Sequence, residues 1–281
     1  MSKSLEVTYK NNLLIVDGLN LAFRWKHSGA QDFHEEYLKT VQSFRRSYEA
    51  KHVIIAADSG KSSYRKRIYP EYKGDREEKF AVQSEAEKEI FLRFMADYNK
   101  ALDYIKDNSD IQVIRFEKTE ADDIAAYICC NYSQEFEYVW LLSTDEDWDL
   151  LLKDNISRFS YVSKKEFSLD NWHLHYDYPF NYHLSVKCLV GGEDNIQGVS
   201  GVGPKRAISL IEKYGTILDI VDAIPIDSKY KFVKSLNASR DSLILNYELM
   251  SLLDYHEEAL GSHTTDIDNI MRGILDGQPC N

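Results

Sequence analysis

The first 180 residues alternate between short apolar runs and longer segments whose apolar positions repeat with a helical period. The apolar runs are NLLIVDG (12–18), HVIIAADSG (52–60), IQVIRFE (111–117), YVWLLSTD (138–145) and ISRFSYVS (156–163). The helical segments span 37–50, 77–105 and 120–132. Apolar strands separated by helices indicate an α/β fold with a mostly parallel sheet, and the alternating fifth run predicts an edge strand.

The pattern changes near residue 180, where short helical segments separated by glycine-rich turns begin. Examples are YHLSVKCLV, PKRAISLIEKYG and TILDIVDAI. We therefore predict an α/β domain over residues 1–180 and an all-helical domain over 181–281. In the second domain, the pattern of residues 240–281 is weakly informative and predicts helical packing.

Composition and length exclude several classes of protein. The 281-residue chain is 43% hydrophobic, which is enough for a buried core and argues against disorder. No apolar run approaches the roughly 20 residues that span a membrane, and the N-terminus lacks the apolar segment of a signal peptide. The four cysteines show no CxxC spacing, which predicts reduced thiols in the cytoplasm. A net charge of −12 argues mildly against a nucleic-acid-binding protein, but its distribution is more informative.

Acidic side chains lie where the predicted strands end. The acids after the first four strands are Asp17, Asp58, Glu120, Asp122, Asp123, Asp145 and Asp147. Because the carboxyl ends of parallel strands share one edge of a sheet, we expect these acids to converge there. Converging carboxylates repel one another unless cations bind, and sites with only oxygen ligands suit Mg²⁺ or Mn²⁺. So many carboxylates suggest two ions, as in phosphodiester hydrolysis.

Each acid also has a local explanation. Thr119 could cap the helix after the third strand, and Ser143 or Thr144 could cap the helix after the fourth. The Asp-containing turns after the first two strands are ordinary turn chemistry. The metal interpretation is favoured for the set because unrelated turns need not share one edge. We expect Glu146 to point away from the site and Asp149 to be structural or to support the metal ligands.

A basic segment leaves the sheet directly after Asp58. Residues 61–80 interleave basic and aromatic side chains: Lys61, Arg65, Lys66, Arg67, Lys73, Arg76 and Lys79 with Tyr64, Tyr69, Tyr72 and Phe80. Basic side chains pair with phosphates, and aromatic side chains stack on nucleobases. The alternative is a solvated surface loop. The position beside the acidic edge favours a mobile insertion that grips a nucleic-acid substrate.

A glycine-rich hairpin lies in GVSGVGPKRAISLIEKYG (198–215). Pro204 is predicted at the first position of a helix, so Lys205 and Arg206 lie in its first turn. Basic residues there oppose the helix dipole, which leaves a poor local reason for them. Gly201 and Gly203 would expose backbone N–H groups at the helix start. We therefore predict a clamp for a phosphate backbone, with a simple tight turn as the alternative.

Taken in order, these motifs resemble the phage and bacterial 5′-nuclease family of flap endonucleases and 5′→3′ exonucleases. The motifs are VDGLN, AADSGKSSYR, PEYKGDR, EADD, STDEDWD and GGEDNIQGVSGVGPKRA, and they cover residue 13 to about residue 215. The similarity is strongest to the flap endonucleases of tailed phages. The resemblance implies a PIN-like nuclease domain with a helical arch over about 61–100, which a single-stranded 5′ end passes through or under. It also implies a helix–three-turn–helix module that holds duplex DNA.

The resemblance implies a role for individual residues. Lys73 falls on the arch lysine that positions and activates the scissile phosphate, Arg76 on its arginine partner, and Tyr72 where an aromatic ring could stack on the substrate. The hairpin carbonyl groups would hold K⁺. The predicted metal ligands are Asp17, Asp58, Glu120, Asp122, Asp123, Asp145, Asp147 and Asp194, and the predicted DNA-binding residues are Tyr72, Arg65, Lys66, Gly201, Gly203, Lys205 and Arg206.

The last motif departs from the family pattern. The family has G-D-x-x-D-N, whereas this chain has VGGEDN, which lacks the first aspartate. Asp194 keeps its place. Either Glu193 supplies the missing carboxylate through its longer side chain, or a second metal ion is held weakly.

The sequence therefore predicts a Mg²⁺-dependent, structure-specific 5′-nuclease. Its substrates would be 5′-flap, branched or 5′-ended DNA, with RNA/DNA hybrids as a further class. We expect a monomer in the cytoplasm of a bacterium or a phage-infected host, with a role in replication or RNA-primer removal and no membrane partner. The alternatives are a PIN-type ribonuclease, which needs neither the arch nor the hairpin, and a junction-binding protein with weak catalysis, which would not need the nearly complete acid set.

Overall fold

A six-stranded sheet in the order β3-β2-β1-β4-β5-β6 lies at the centre of the computed structural model, which describes residues 9–192 and 194–277. The strands are β1 (Lys10–Asp17), β2 (Ala50–Ala56), β3 (Gln112–Ile114), β4 (Tyr138–Leu142), β5 (Ile156–Ser160) and β6 (Lys165–Phe167). The first five strands are parallel, and β6 pairs antiparallel with β5. The prediction of a mostly parallel α/β sheet is confirmed. The prediction that 156–163 forms an edge strand is wrong, because β6 covers that edge.

The helices are α1 (Gly18–Ser28), α2 (His34–Ser47), α3 (Ser63–Ile68), α4 (Gly74–Ala81), α5 (Glu85–Asn108), α6 (Ala121–Tyr132), α7 (His183–Val190), α8 (Pro204–Tyr214), α9 (Ile217–Ala223), α10 (Lys231–Ala238), α11 (Arg240–Met250), α12 (Leu252–Leu260) and α13 (His263–Leu275). Short 3₁₀ segments include Glu146–Leu151 and Trp172–Leu174. The single helix predicted over 77–105 is two helices, because Ser84 starts α5 with a reciprocal capping box to Glu87. None of the helices in the described part of the chain is long and apolar enough to cross a membrane.

Both faces of the sheet are buried, which explains the continuous apolar runs. Leu13 and Ile15 of β1 pack in the core beneath α6. Leu14 and Val16 alternate with them and pack in a second core with α1, α2 and α5. All four side chains are fully buried, and each contributes about 1.5–3 kcal/mol to folding.

A third core joins α7, α8, α9 and α11 and contains the predicted glycine hairpin. The chain after α11 does not stay with this helical module. Leu252 and Leu260 of α12 and Ile267 and Met271 of α13 pack in the core of the sheet beneath α6. The two C-terminal helices therefore cover the α/β domain, although the sequence predicts them as part of the helical domain over 181–281.

The strand register brings the predicted acidic edge together. Asp17 pairs opposite Ala56 at the ends of β1 and β2, so Asp58 follows two residues later at the same edge. Val16 pairs opposite Leu142, the last residue of β4, which places Asp145 three residues beyond that edge. The expected convergence of acids from separate strands therefore follows directly from the sheet.

Candidate metal and nucleic-acid site

Three acids at the sheet edge each accept a backbone N–H at the start of a helical segment; for Asp17 and Asp145 this is the segment that follows in the chain, and for Asp58 it is the one after β3. Asp17 caps α1, where Oδ1 accepts from the Asn20 backbone N–H at 3.2 Å and Oδ2 accepts from Ser143 Oγ at 2.7 Å. Asp58 Oδ1 accepts from the Ala121 N–H at 3.0 Å. Asp145 Oδ1 accepts from the Asp147 N–H at 2.8 Å. The acids themselves therefore satisfy the helix starts: Asp17 at α1, Asp58 at α6 and Asp145 at the segment Glu146–Leu151.

This capping corrects the local alternatives. The sequence offered Thr119, Ser143 and Thr144 as caps, but Thr119 Oγ1 donates to the Glu117 carbonyl and Ser143 Oγ donates to Asp17. Capping and metal binding are compatible here, because a carboxylate has two oxygen atoms and a cap uses one of them.

The hydrogen bonds leave one oxygen of several acids available. Asp58 and Asp145 use Oδ1 as described, and Asp122 Oδ1 accepts from Trp148 Nε1 at 2.6 Å. The Oδ2 atoms of these three acids accept no hydrogen bond from residues 9–192 or 194–277. Fixed carboxylates with a free oxygen are suitable ligands for a hard cation such as Mg²⁺.

Burial and mutual repulsion raise the pKa of these acids. Burial, reinforced by the charge of Asp58, holds the pKa of Asp17 well above its usual range. Burial and the charge of Asp145 do the same to the pKa of Asp122. Asp145 is exposed at the surface, but desolvation by the surrounding cleft, followed by the charge of Asp147, raises its pKa to about 6. A bound cation would reverse these shifts because it stabilises the ionised carboxylates.

Basic side chains from the segment 61–80 reach the same cleft. Lys73 Nζ donates to Glu120 Oε1 at 2.8 Å and lies 3.8 Å from Asp194 Oδ2. Arg76 Nε donates to Asp194 Oδ1 at 2.7 Å. Burial alone would raise the pKa of Glu120, but Lys73 and Arg65 outweigh burial and hold it below its usual value. The structure therefore brings Lys73 and Arg76 to two of the predicted metal ligands.

Arg65 and Asp123 form a buried ion pair, which argues against the role predicted for each. Arg65 Nη1 and Nη2 donate to the two Asp123 carboxylate oxygens at 2.7 and 2.8 Å, and Arg65 Nε donates to the Leu249 carbonyl at 3.1 Å. Both side chains are at least 97% buried. Arg65 therefore has no surface to offer DNA, and Asp123 neutralises a guanidinium where the sequence predicts a metal ligand.

The burial of Tyr72 argues against its predicted stacking role, whereas the DNA-binding role of Lys66 stays a prediction. Tyr72 is 5% exposed, and its hydroxyl donates to Glu120 Oε2 at 3.0 Å, so its ring has no free face for stacking. Lys66 Nζ is partly exposed and donates to the Pro70 carbonyl at 2.9 Å.

The other acids of the fourth strand separate into two groups. Asp147 pairs with Lys187 of α7. Glu146 is exposed but lines the same cleft as Asp145, so the expectation that it points away from the site is wrong. Asp149 is fully buried and accepts from Arg158 Nε at 2.5 Å and from Tyr176 at 2.7 Å, which fits the expected structural role. Sequence reasoning missed Lys187, although a single lysine inside the apolar segment YHLSVKCLV is the signal that could have found it.

The acids that the structure describes lie at one edge of the sheet, but their carboxylates do not form a metal-binding arrangement. Across the residues that the structure describes, no group of three or more His, Cys, Asp or Glu side chains is arranged to hold a metal. The ion pairs explain this arrangement, because Lys73, Arg76 and Lys187 each hold an acid that the sequence predicts as a ligand. Glu193, the other candidate ligand, lies outside the described residues.

The glycine hairpin forms the start of α8 as predicted. Pro204 is the first residue of α8, and Gly201 has a φ of 81°, a left-handed conformation that favours glycine. Lys205 is exposed at the first turn. Arg206 is partly held by the protein, since Nη1 donates to the Gly201 carbonyl at 2.5 Å and the guanidinium lies 4.9 Å from the Phe232 ring centre.

Replacing Gly198 with Ala is expected to lower the free energy of unfolding by about 1–3 kcal/mol, measured by urea denaturation. An added Cβ would lie 2.0 Å from the Val190 carbonyl oxygen and 2.5 Å from the Gly191 nitrogen. Gly203→Ala is the matched control, because its Cβ would meet no heavy atom within 4 Å. Equal stability of the two variants would contradict the close approach at Gly198.

Comparison with known proteins identifies two family models. A model of the 5′–3′ exonuclease N-terminal resolvase-like domain matches residues 12–177. A model of the 5′–3′ exonuclease C-terminal SAM fold matches residues 181–269. Together the two models span most of the chain.

Individual relatives are similar over nearly their full length. The chain is 38% identical to the flap endonuclease of Escherichia phage T5 over 275 residues, which cover 96% of this chain and 94% of the phage protein. A structure of T5 5′-exonuclease with bound divalent metal ions (zinc) matches with a TM-score of 0.88, covering 94% of this chain and 98% of that one. A T5 flap endonuclease variant in a pseudo-enzyme–product complex with DNA and metal ions, also 38% identical with the same coverage, matches with a TM-score of 0.87.

Proposed function

The chain belongs to the 5′–3′ exonuclease family, and we propose that it is a Mg²⁺-dependent, structure-specific 5′-nuclease that cuts 5′-flap, branched or 5′-ended DNA. The observation that carries this proposal is the cleft itself. Acids from separate strand ends meet there, with Lys73 and Arg76 among them. The DNA and metal ions in the similar T5 complex support a substrate and a cofactor of the same classes.

The donor set fits divalent ions. The free Oδ2 atoms of Asp58, Asp122 and Asp145 would hold one ion, and Asp17 lies beside them. Asp194 and Glu193 would contribute to a second ion. Bound Mg²⁺, or Mn²⁺ in its place, would supply an acidified water and stabilise charge on the phosphate.

The protein's own side chains would position the phosphate. Lys73 and Arg76 carry positive charge at the acidic cleft, so a scissile phosphate could take over the partners that Glu120 and Asp194 now provide. Release of those two acids would at the same time free carboxylates for metal binding. Hydrolysis would leave a 5′-phosphate and a 3′-hydroxyl group.

The domain organisation follows the same proposal. Residues 1–180 would form the nuclease domain, and α4 with the first turns of α5 would form the helical arch. In α4 no residue is buried, and the buried residues of α5 begin at Phe94, which supports a projecting segment. The region from 181 would hold duplex DNA through the hairpin. We infer a monomer that acts in the cytoplasm of a bacterium or an infected host, in replication or RNA-primer removal.

The geometry of the hairpin supports a K⁺ ion less well than the cleft supports divalent ions. The Gly201 carbonyl accepts from Arg206, and the Val199 and Gly203 carbonyls accept backbone N–H groups that close the turn. An ion would therefore have to share these oxygens with a guanidinium. Measuring duplex affinity in K⁺ and in Na⁺ at equal ionic strength tests whether it does.

Lys205→Gln is expected to weaken duplex binding equally for different sequences. Removing one phosphate contact should lower the slope of log affinity against log salt concentration by about 1. Fluorescence anisotropy over a salt series gives that slope. Lys213→Gln, at the far end of α8, is the control and should leave it unchanged. The same slope for Lys205→Gln and the wild type would exclude Lys205 from the interface.

The direct test of function compares cleavage of a labelled 5′-flap duplex in Mg²⁺ and in EDTA. We expect cleavage near the junction only with the metal. The same oligonucleotide in RNA form distinguishes a PIN-type ribonuclease, which would prefer the RNA. Binding without cleavage in Mg²⁺ or Mn²⁺ would instead favour a junction-binding protein.

A further inference from the structure

One wall of the acidic cleft is aromatic. The cleft has a volume of about 630 Å³, and its lining includes Tyr176, Tyr178 and His183 together with Tyr72 and Arg76. Asp122 and Asp145 line the same cleft. His183 is buried, whereas the two tyrosines are partly exposed. This wall comes from the segment before α7, which none of the predicted motifs includes.

Neighbouring side chains hold the tyrosine rings in place. Trp172 stacks on Tyr176 with ring centres 4.0 Å apart and an angle of 19° between the planes. The Tyr176 hydroxyl donates to Asp149, and the Tyr178 hydroxyl lies 3.0 Å from His183 Nδ1. Trp172 Nε1 donates to the Tyr178 carbonyl at 2.7 Å. Rings that are already fixed lose little conformational entropy when a ligand binds them.

The charges around the wall determine what it can bind. Burial, followed by the negative charges of Glu146 and Asp177, raises the pKa of the Tyr178 phenol to about 12. Burial first, then the charge of Asp149, also raises the pKa of Tyr176. Arg158 neutralises Asp149, so Glu146 and Asp177, which are exposed, are the acids that disfavour a phosphate at the wall itself. An uncharged planar ring can stack on a tyrosine, and such stacking tolerates any base.

We propose that Tyr176 and Tyr178 form a stacking site for one unpaired nucleobase of the cleaved strand, beside the scissile phosphate. The inference rests on the proposed function, since it uses the same cleft. Lys187, which pairs with Asp147, lines the same cleft as this wall and Asp145 and would be the cation for the phosphate of that nucleotide. The site would select substrates whose base is free to leave the duplex, and would therefore favour frayed or single-stranded junctions.

The test places an abasic nucleotide at each position from two before to two after the cleaved bond of a 5′-flap. In the wild type, one position should lower kcat/KM by about fivefold or more, the loss expected for one stacked base. Tyr178→Leu should lower activity on the intact flap by a similar factor and lose its sensitivity to that abasic position. Tyr178→Phe is the matched control, because it keeps the ring and loses only the hydroxyl, and it should retain the sensitivity.

A second measurement does not need cleavage. A 2-aminopurine base at the sensitive position should be quenched when the flap binds the wild type in Ca²⁺, and Tyr178→Leu should lose that quenching. The proposal is overturned by a flat abasic scan together with unquenched 2-aminopurine in the wild type, whether or not Tyr178→Leu folds. It is also overturned if Tyr178→Leu keeps both signals, since the ring would then only pack. Quenching without cleavage would support the base site and reject the proposed nuclease function.

Discussion

Asp145→Asn should reduce cleavage of a 5′-flap in Mg²⁺ by about 100-fold or more. Loss of a residue that merely supports a metal ligand costs roughly 10–100-fold, so loss of a ligand should cost at least as much. Asp145 is a strong candidate ligand because, like Asp58 and Asp122, it has one oxygen fixed by a hydrogen bond and an Oδ2 that is free of the described residues. Single-turnover rates at saturating enzyme measure the effect without a contribution from DNA binding.

Glu146→Gln is the matched control for this prediction. Glu146 is the next residue, carries the same charge and is exposed. Its replacement should change the rate by less than a few-fold, although it removes an equal amount of negative charge from the cleft. If both variants lose the same activity, general electrostatics would explain the result and Asp145 would not be a specific ligand. Retained activity of Asp145→Asn would reject the site.

The acidic edge could be predicted from the sequence because it depends only on where the parallel strands end. Strands such as β1 and β4 are continuous apolar runs, parallel strands end at one edge, and Asp17 and Asp145 follow those ends. The partners of the acids could not be predicted in the same way. Lys73 and Lys187 are far from Glu120 and Asp147 in the chain, and their pairing depends on tertiary packing.

Tertiary packing explains the other differences between the sequence-based predictions and the structure. Arg65 and Tyr72 have residue types typical of a DNA-binding segment, and nothing in their local sequence distinguishes an exposed arginine or tyrosine from a buried one. The structure buries Arg65 because α3 packs against α12 and the guanidinium donates to the Leu249 carbonyl of α11. It buries Tyr72 in the core of α7, α8, α9 and α11. Similarly, β6 is only three residues long and polar, so no apolar pattern could reveal that β5 is not an edge.

Asp123→Asn should destabilise the protein by about 3–5 kcal/mol, the usual cost of breaking a buried ion pair. Among residues 9–192 and 194–277, the substitution would leave the Arg65 guanidinium with Glu120, 3.5 Å away, as its one remaining acidic partner. Urea denaturation at pH 7 in EDTA measures the change without a contribution from metal binding. A double variant, Arg65→Met with Asp123→Leu, should recover much of the loss because no unpaired charge remains.

Asp122, the residue before Asp123, provides the contrast for this prediction. Burial and the charge of Asp145 raise the pKa of Asp122, so its ionised form opposes folding at any pH above that raised value. Asp122→Asn removes this cost and can still accept from Trp148, so its stability in EDTA should equal or exceed that of the wild type while flap cleavage is lost. Burial also raises the pKa of Asp123, but its carboxylate neutralises the buried Arg65 guanidinium. Asp123→Asn should therefore show the reverse order, with a large loss of stability, because it leaves that guanidinium without its main partner. Equal destabilisation by both variants would mean that the two acids share one structural role, and it would contradict the assignment of Asp122 to the metal and Asp123 to Arg65.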